Sequence, residues 1–194
     1  MIIQILGAHG FGQTTAFEHF IEKRNGSELR LGKRLIGWNL RDTVLLSTGG
    51  VSQNELRGYV RHFAAQRHVV FESPLMPAKS DPFLGLAREV KDYLFAFIDT
   101  PFEIWLRNIR AQSDSADLSE QLVREQWLRQ LKHKEQFRNE GYGVVTLRHG
   151  RSIQQIEALL LSARFVSGCY EALTLPKLTR PRRASGSAKT TKAA

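Results

Sequence analysis

Cysteine is almost missing from this chain: Cys169 stands alone among 194 residues. A single thiol excludes an internal disulfide framework and fits a reducing compartment. Long apolar runs are missing as well. None reaches the roughly 18 residues that a membrane-spanning helix needs. The start, MIIQILG, has no basic lead and passes quickly into Gly-rich sequence, so it does not read as a secretory signal. A cytoplasmic protein without membrane contact is the expectation. No Cys/His cluster has the spacing of a zinc site, and no structural zinc is expected. No internal repeat is visible.

What is present suits one soluble domain. Hydrophobic residues make up 42% and charged residues 24%, both ordinary values, and the length allows one well-buried core. The formal charge of +9 is unevenly spread. Lys177, Arg180, Arg182, Arg183, Lys189 and Lys192 lie in 176–194 with no acid among them, which leaves +3 for the rest. That stretch has few apolar side chains and reads as a disordered basic tail. The folded domain is expected over 1–175.

Along that domain, apolar runs alternate with amphipathic ones. Strands are expected at 2–6, 33–40, 43–47, 68–72, 93–99 and 144–147. Between them, Phe17, Phe20 and Ile21 share a helical face that stops at Asn25-Gly26. Leu56, Tyr59, Val60 and Phe63 do the same within 53–66. Thr100-Pro101-Phe102-Glu103 reads as a helix start, with Pro at the first helical position. Phe102, Trp105, Leu106 and Ile109 follow as one stripe. A basic helix is expected over 118–139, and a last one from Ser152. Apolar strands between amphipathic helices indicate a parallel α/β sheet covered on both faces.

The first of these junctions carries the chemistry. Residues 7–15 read GAHGFGQTT, which is the phosphate-loop pattern GxxxxGK[ST] with Gln13 where the lysine belongs. Backbone N–H groups in such a loop form an anion nest, and the following helix adds its positive end. Gly7 and Gly12 permit backbone angles that side chains forbid. The Thr14 hydroxyl sits where a Mg²⁺ ligand belongs. A tight strand-to-helix turn without ligand is the alternative reading. Replacing Lys by Gln removes a point charge from the β- and γ-phosphates, a change worth on the order of 10²–10³ in rate by analogy with other electrostatic donors.

MIIQILGAHGFGQTT, HVVFESPL and FAFIDTPFEIWLRNIRAQ together resemble the P-loop nucleoside and nucleotide kinases, above all the small kinase-like ATP-binding proteins often encoded by bacteriophages. The resemblance covers roughly 1–160, with a degenerate phosphate loop. It implies a three-layer P-loop NTPase fold: a five-stranded, mostly parallel sheet of order 2-3-1-4-5, helices on both faces, and a helical lid at about 112–140. For a phage protein it implies the host cytoplasm. It implies ATP and Mg²⁺ as cofactors, held by Gly7, Gly10, Gly12, Gln13, Thr14 and Thr15, with Thr14 on the metal. Glu72 would order Mg²⁺ through water or act as base toward an acceptor. Arg107 and Arg110 would approach the nucleotide, and Arg124 or Arg129 in the lid would neutralise transition-state charge.

Plainer readings stand beside these. Glu72 could be a strand-end carboxylate paired with an arginine. Arg107 and Arg110, three apart on one face, could meet only water and Glu103. Asp99 reads as a brace for the turn that follows it, and His9 as a tolerated variable position. An anionic small molecule or a nucleic-acid end is the expected acceptor, lined by 47–57 and 73–80, where Arg57, Arg61 and Lys79 could meet an anion; a monophosphate would need no strong base, whereas an alcohol would use Glu72 as base. Three functions follow: an ATP-dependent phosphotransferase, a nucleotide-binding pseudokinase, or a nucleic-acid-associated protein. In the third, the 176–194 tail would make non-specific, salt-sensitive contacts.

Overall fold

The computed structural model describes residues 1–7, 13–40, 42–47, 51–112 and 119–167, with backbone alone at 13–16, 112 and 163–167. Along these residues the elements are β1 (Ile2–Gly7), α1 (Gln13–Arg24), β2 (Ser27–Leu31), β3 (Arg34–Asn39), β4 (Thr43–Leu46) and α2 (Gln53–Ala64). After them come β5 (His68–Pro74), a 3₁₀ turn at Ala78–Ser80, α3 (Leu84–Glu89) and β6 (Tyr93–Asp99). The last are α4 (Phe102–Gln112), α5 (Glu120–Asn139), β7 (Gly143–Arg148) and α6 (Ser152–Ser167).

The sheet order is β2-β3-β4-β5-β1-β6-β7. This corrects the expected five-stranded sheet of order 2-3-1-4-5. Strands β4, β5, β1, β6 and β7 are parallel, and counted by themselves in chain order they run 2-3-1-4-5. An antiparallel hairpin, β2–β3, extends the β4 edge and makes the sheet mixed. The extra strand has no apolar stripe because SELRL is mostly exposed along both faces. Its turn is built by Gly32, at φ +61° in the two-residue loop between Leu31 and Arg34, where a side chain would be strained. β3 lies so close to β4 that a Cβ on Gly37 would fall 2.0 Å from the Leu45 carbonyl oxygen.

Two cores sandwich the sheet. On one face Ile3, Ile5, Val70, Ala96 and Leu147 meet Phe17 and Phe20 of α1 and Ile156 and Leu160 of α6. On the other, Ile2, Leu6, Phe71, Phe95 and Phe97 meet Leu56 and Val60 of α2, Leu84 and Leu86 of α3, and Phe137 of α5. Alternation along β1 sends successive side chains to opposite cores. Glu157 ties α6 to the end of α1, accepting from Lys23 at 2.7 Å and Arg24 at 3.0 Å.

Helix ends follow local rules. α1 closes at Asn25, in the left-handed region at φ 49°, with the Gly26 N–H on the Ile21 carbonyl. α5 closes likewise at Gly141, and Tyr142 then packs against Phe137. A capping box at Ser52 and Glu55 starts α2. A third, smaller apolar cluster joins α4 to the first turns of α5: Phe102, Trp105, Ile109 and Val123, flanked by Leu106 and Trp127. Among the described residues no helix is long and apolar enough to cross a membrane.

Candidate active site

The parallel strands reverse their order of addition at β1. β5 and β4 lie to one side of it, β6 and β7 to the other. In open α/β sheets the crevice beyond the carboxyl ends of the strands, at such a switch point, is where ligands bind. Gly7 ends β1 there. It is buried, and its carbonyl accepts from the Leu75 N–H at 3.2 Å, so the loop that follows departs from a fixed point beside β5. Gly10, Gly12 and His9 lie outside the described residues. α1 begins at Gln13, followed by Thr14 and Thr15 in its first turn; for these three only the backbone is described. The free N–H groups of a helix start are the donors an anion needs.

Glu72 sits opposite Ile5 on β5, half-buried on the α1 side of the sheet. Asp99 ends β6 and is exposed; its carbonyl accepts from the His149 N–H, which braces the chain after β7. α5 is anchored to the same edge. Trp127 Nε1 donates to the Thr100 carbonyl at 3.0 Å and Gln130 Nε2 to that of Ile98 at 3.4 Å.

Three of the arginines singled out in the sequence come together. Arg107 and Arg110 of α4 and Arg124 of α5 line one groove of about 340 Å³, with Glu103 and Glu120. The Arg124 guanidinium lies 4.6 Å from the centre of the Phe102 ring, a cation–π contact, and 3.8 Å from Glu120. Arg129 is not with them. It lines an open groove on another side of α5, with Lys132, His133 and Pro77. Burial and the two cations hold the His133 imidazole below its ordinary pKa.

A second cleft, of about 280 Å³, opens between the start of α2 and the end of β5. Val51, Gln53, Leu56, Ser73, Pro74, Met76, Asp81, Pro82 and Phe83 line it. These fall within or next to the two segments expected to hold an acceptor. The basic residues do not follow: Arg57, Arg61 and Lys79 are not in the lining, and Arg61 is paired with Glu89 at 2.7 Å on the surface.

Asp81 escaped the sequence reading. It belongs to a buried polar cluster with Gln4, Ser73 and Tyr93. Gln4 Nε2 donates to Ser73 Oγ at 2.8 Å and to Asp81 Oδ2 at 2.9 Å, and the Tyr93 hydroxyl donates to Gln4 Oε1. Asp81 Oδ1 accepts from the Phe83 N–H at 2.8 Å. Burial pushes the Asp81 carboxyl up, against the pull of these two donors. Burial, and then the Asp81 charge, push Tyr93 far above its ordinary value. The one signal in the sequence was Gln4 itself, an amide inside the apolar run IIQIL.

No protein-family model matches the chain, and no curated protein does. Solved structures align with most of the chain. A gluconokinase from Sinorhizobium meliloti 1021 aligns at a TM-score of 0.46 and 13% identity, over 87% of this chain and 95% of its own. Shikimate kinase from Acinetobacter baumannii aligns at 0.46 and 17%, over 84% and 94%. Shikimate kinase from Bacteroides thetaiotaomicron aligns at 0.44 and 12%, over 87% and 98%. Each likeness concerns the course of the backbone. Among the described residues no cluster of three His, Cys, Asp or Glu could hold a metal ion.

Proposed function

We propose that the protein is an ATP-binding P-loop phosphotransferase that moves the γ-phosphoryl group of Mg-ATP to an acceptor. One observation carries this reading: a fully buried central strand at the switch point of the sheet runs into GAHGFGQ and out through a 12-residue helix. In this reading Gly7, Gly10, Gly12, Gln13, Thr14 and Thr15 hold the phosphates, with Gln13 at the first position of α1. Thr14 takes Mg²⁺ and Glu72 orders its water. Arg107, Arg110 and Arg124 receive the nucleotide from the α4–α5 groove, and Arg129 adds charge from the far side of α5. The lid is the helical stretch at about 112–140. The acceptor occupies the cleft beside Asp81.

Calorimetric titration with Mg-ATP and Mg-ADP tests it, each repeated on Gly12→Val. Binding that Gly12→Val removes supports a working loop. Absence of binding at millimolar nucleotide overturns the reading. A second reading is favoured by Gln13: a pseudokinase that holds nucleotide without turnover. The rate of the parent beside that of Gln13→Lys separates the two: a measurable parent ATPase rate that Gln13→Lys raises marks the phosphotransferase, whereas a near-zero rate in both favours the pseudokinase.

A further inference from the structure

The cleft between α2 and β5 is built unlike a site for an anion. Its walls are apolar: Val51, Leu56, Met76, Pro74, Pro82 and Phe83. Its only charged lining residue among the described ones is Asp81, a carboxylate 5% exposed. The three residues before Val51 in the chain are Thr48, Gly49 and Gly50, none of them charged. Each Asp81 oxygen already accepts one N–H, from Phe83 and from Gln4. Carboxylate oxygens accept more than one bond, so each retains a lone pair for a further donor. Ser73 Oγ accepts from Gln4, which leaves its own proton to give. The polar floor of the cleft thus offers a fixed negative acceptor and one small hydroxyl, under a roof of ring-sized apolar surface. A buried carboxylate without a cation beside it repels an incoming anion strongly, because low-dielectric surroundings screen little.

We propose that this cleft takes an uncharged or cationic small molecule with an apolar, ring-sized body whose hydroxyl or amine donates to Asp81, and that it excludes anions. The proposal rests on reading the cleft as the acceptor site. It replaces the expectation of an anionic acceptor met by Arg57, Arg61 and Lys79. Asp81 is the specificity-determining residue. Gln4 is a positioning residue, since its amide acts only through Asp81 and Ser73.

Three probes share a 4-hydroxyphenyl ring and differ in charge: tyramine, 4-hydroxyphenylethanol and 4-hydroxyphenylacetate. Calorimetric titration of the full chain with each is the test. Tyramine and the alcohol bind with dissociation constants at least about tenfold below that of the acid. Asp81→Asn narrows that gap to within about threefold, and Met76→Trp, which fills the cleft, removes all three. The comparison on the unaltered protein stands even where a variant fails to fold. Equal or tighter binding of the acid, or binding that survives Met76→Trp, overturns the proposal, and so does failure of all three probes at millimolar concentration. Mg-ADP titrated in parallel keeps the two readings apart. Probe binding with the charge preference but no nucleotide binding sinks the kinase reading alone. Nucleotide binding without the charge preference sinks this one alone.

Discussion

Gln4 reaches Asp81 across 77 positions of sequence, with Nε2 at 2.9 Å from Oδ2. Both Nε2 protons are committed, the second to Ser73, and Oε1 receives the Tyr93 hydroxyl. The amide is therefore locked in one orientation by three partners, two of which, Ser73 and Asp81, line the cleft.

Gln4→Leu keeps the volume but strips Asp81, Ser73 and Tyr93 of a buried partner. Leaving such groups unsatisfied costs about 3 kcal/mol in total stability, and Tyr93→Phe, which removes one donor only, about 1 kcal/mol. Urea denaturation of the two variants measures both. A Gln4→Leu variant as stable as the parent would mean the three polar groups find other partners.

The Asp81 carboxyl gives stability an acid-side slope. Its folded value is raised by burial, so the native state holds this proton more tightly than the unfolded chain does. The associated stability is present below the unfolded value and is lost as pH rises through the folded one. Stability of the parent relative to Asp81→Asn therefore falls as pH climbs from the ordinary carboxylate range, then levels. Chemical denaturation of both proteins over a pH series reads the difference, and a rise with pH would reverse the assignment.

Gly37→Ala drives a methyl against the Leu45 carbonyl oxygen, at 2.0 Å from an ideal Cβ. Backbone cannot retreat as a side chain can. The β3–β4 pairing must open or shift, with a loss of about 3 kcal/mol or more. The melting temperature should drop accordingly. Gly58→Ala, where a Cβ meets nothing within 4 Å, serves as control and should stabilise α2 slightly.

Arg124→Ala separates binding from folding. The side chain is 61% exposed and its pair with Glu120 is an (i, i+4) contact at 3.8 Å, worth at most about 0.5 kcal/mol. The cation–π contact with Phe102 adds about 0.5–1 kcal/mol, so stability should fall by no more than about 1.5 kcal/mol. If the α4–α5 groove receives phosphate, loss of a charged hydrogen bond weakens Mg-ATP binding by roughly tenfold. Calorimetry at two salt concentrations checks it, and an unchanged affinity would take Arg124 out of the nucleotide site.

How far the sequence reached depended on what each residue faced. β1, β5 and β6 were legible because strands covered on both sides must be apolar throughout. β2 was not, because SELRL contributes little to either core and its pairing with β3 is set by backbone and by the Gly32 turn. Arg107 and Arg110 were found as a pair because they stand three apart on one helix face. Arg124 and Arg129 were grouped by charge alone, yet five positions turn a helix through about 140° beyond a full circle, and they line different grooves. Nothing in KSDPF singles out Asp81; only the tertiary meeting with Gln4 makes it a floor for a cleft.

The small apolar cluster between α4 and α5 divides one helix between two cooperative units. α5 is 20 residues long, about 30 Å. Its last turns are held in the main core by Phe137, which is fully buried. Its first turns rest on Val123 and Trp127 against α4. These two ends therefore come loose at different free energies. Amide exchange should be fast through about 120–126 and slow through 130–138, with opening of the first turns leaving the sheet intact. Uniform protection along α5 would show that both ends melt only with the whole protein.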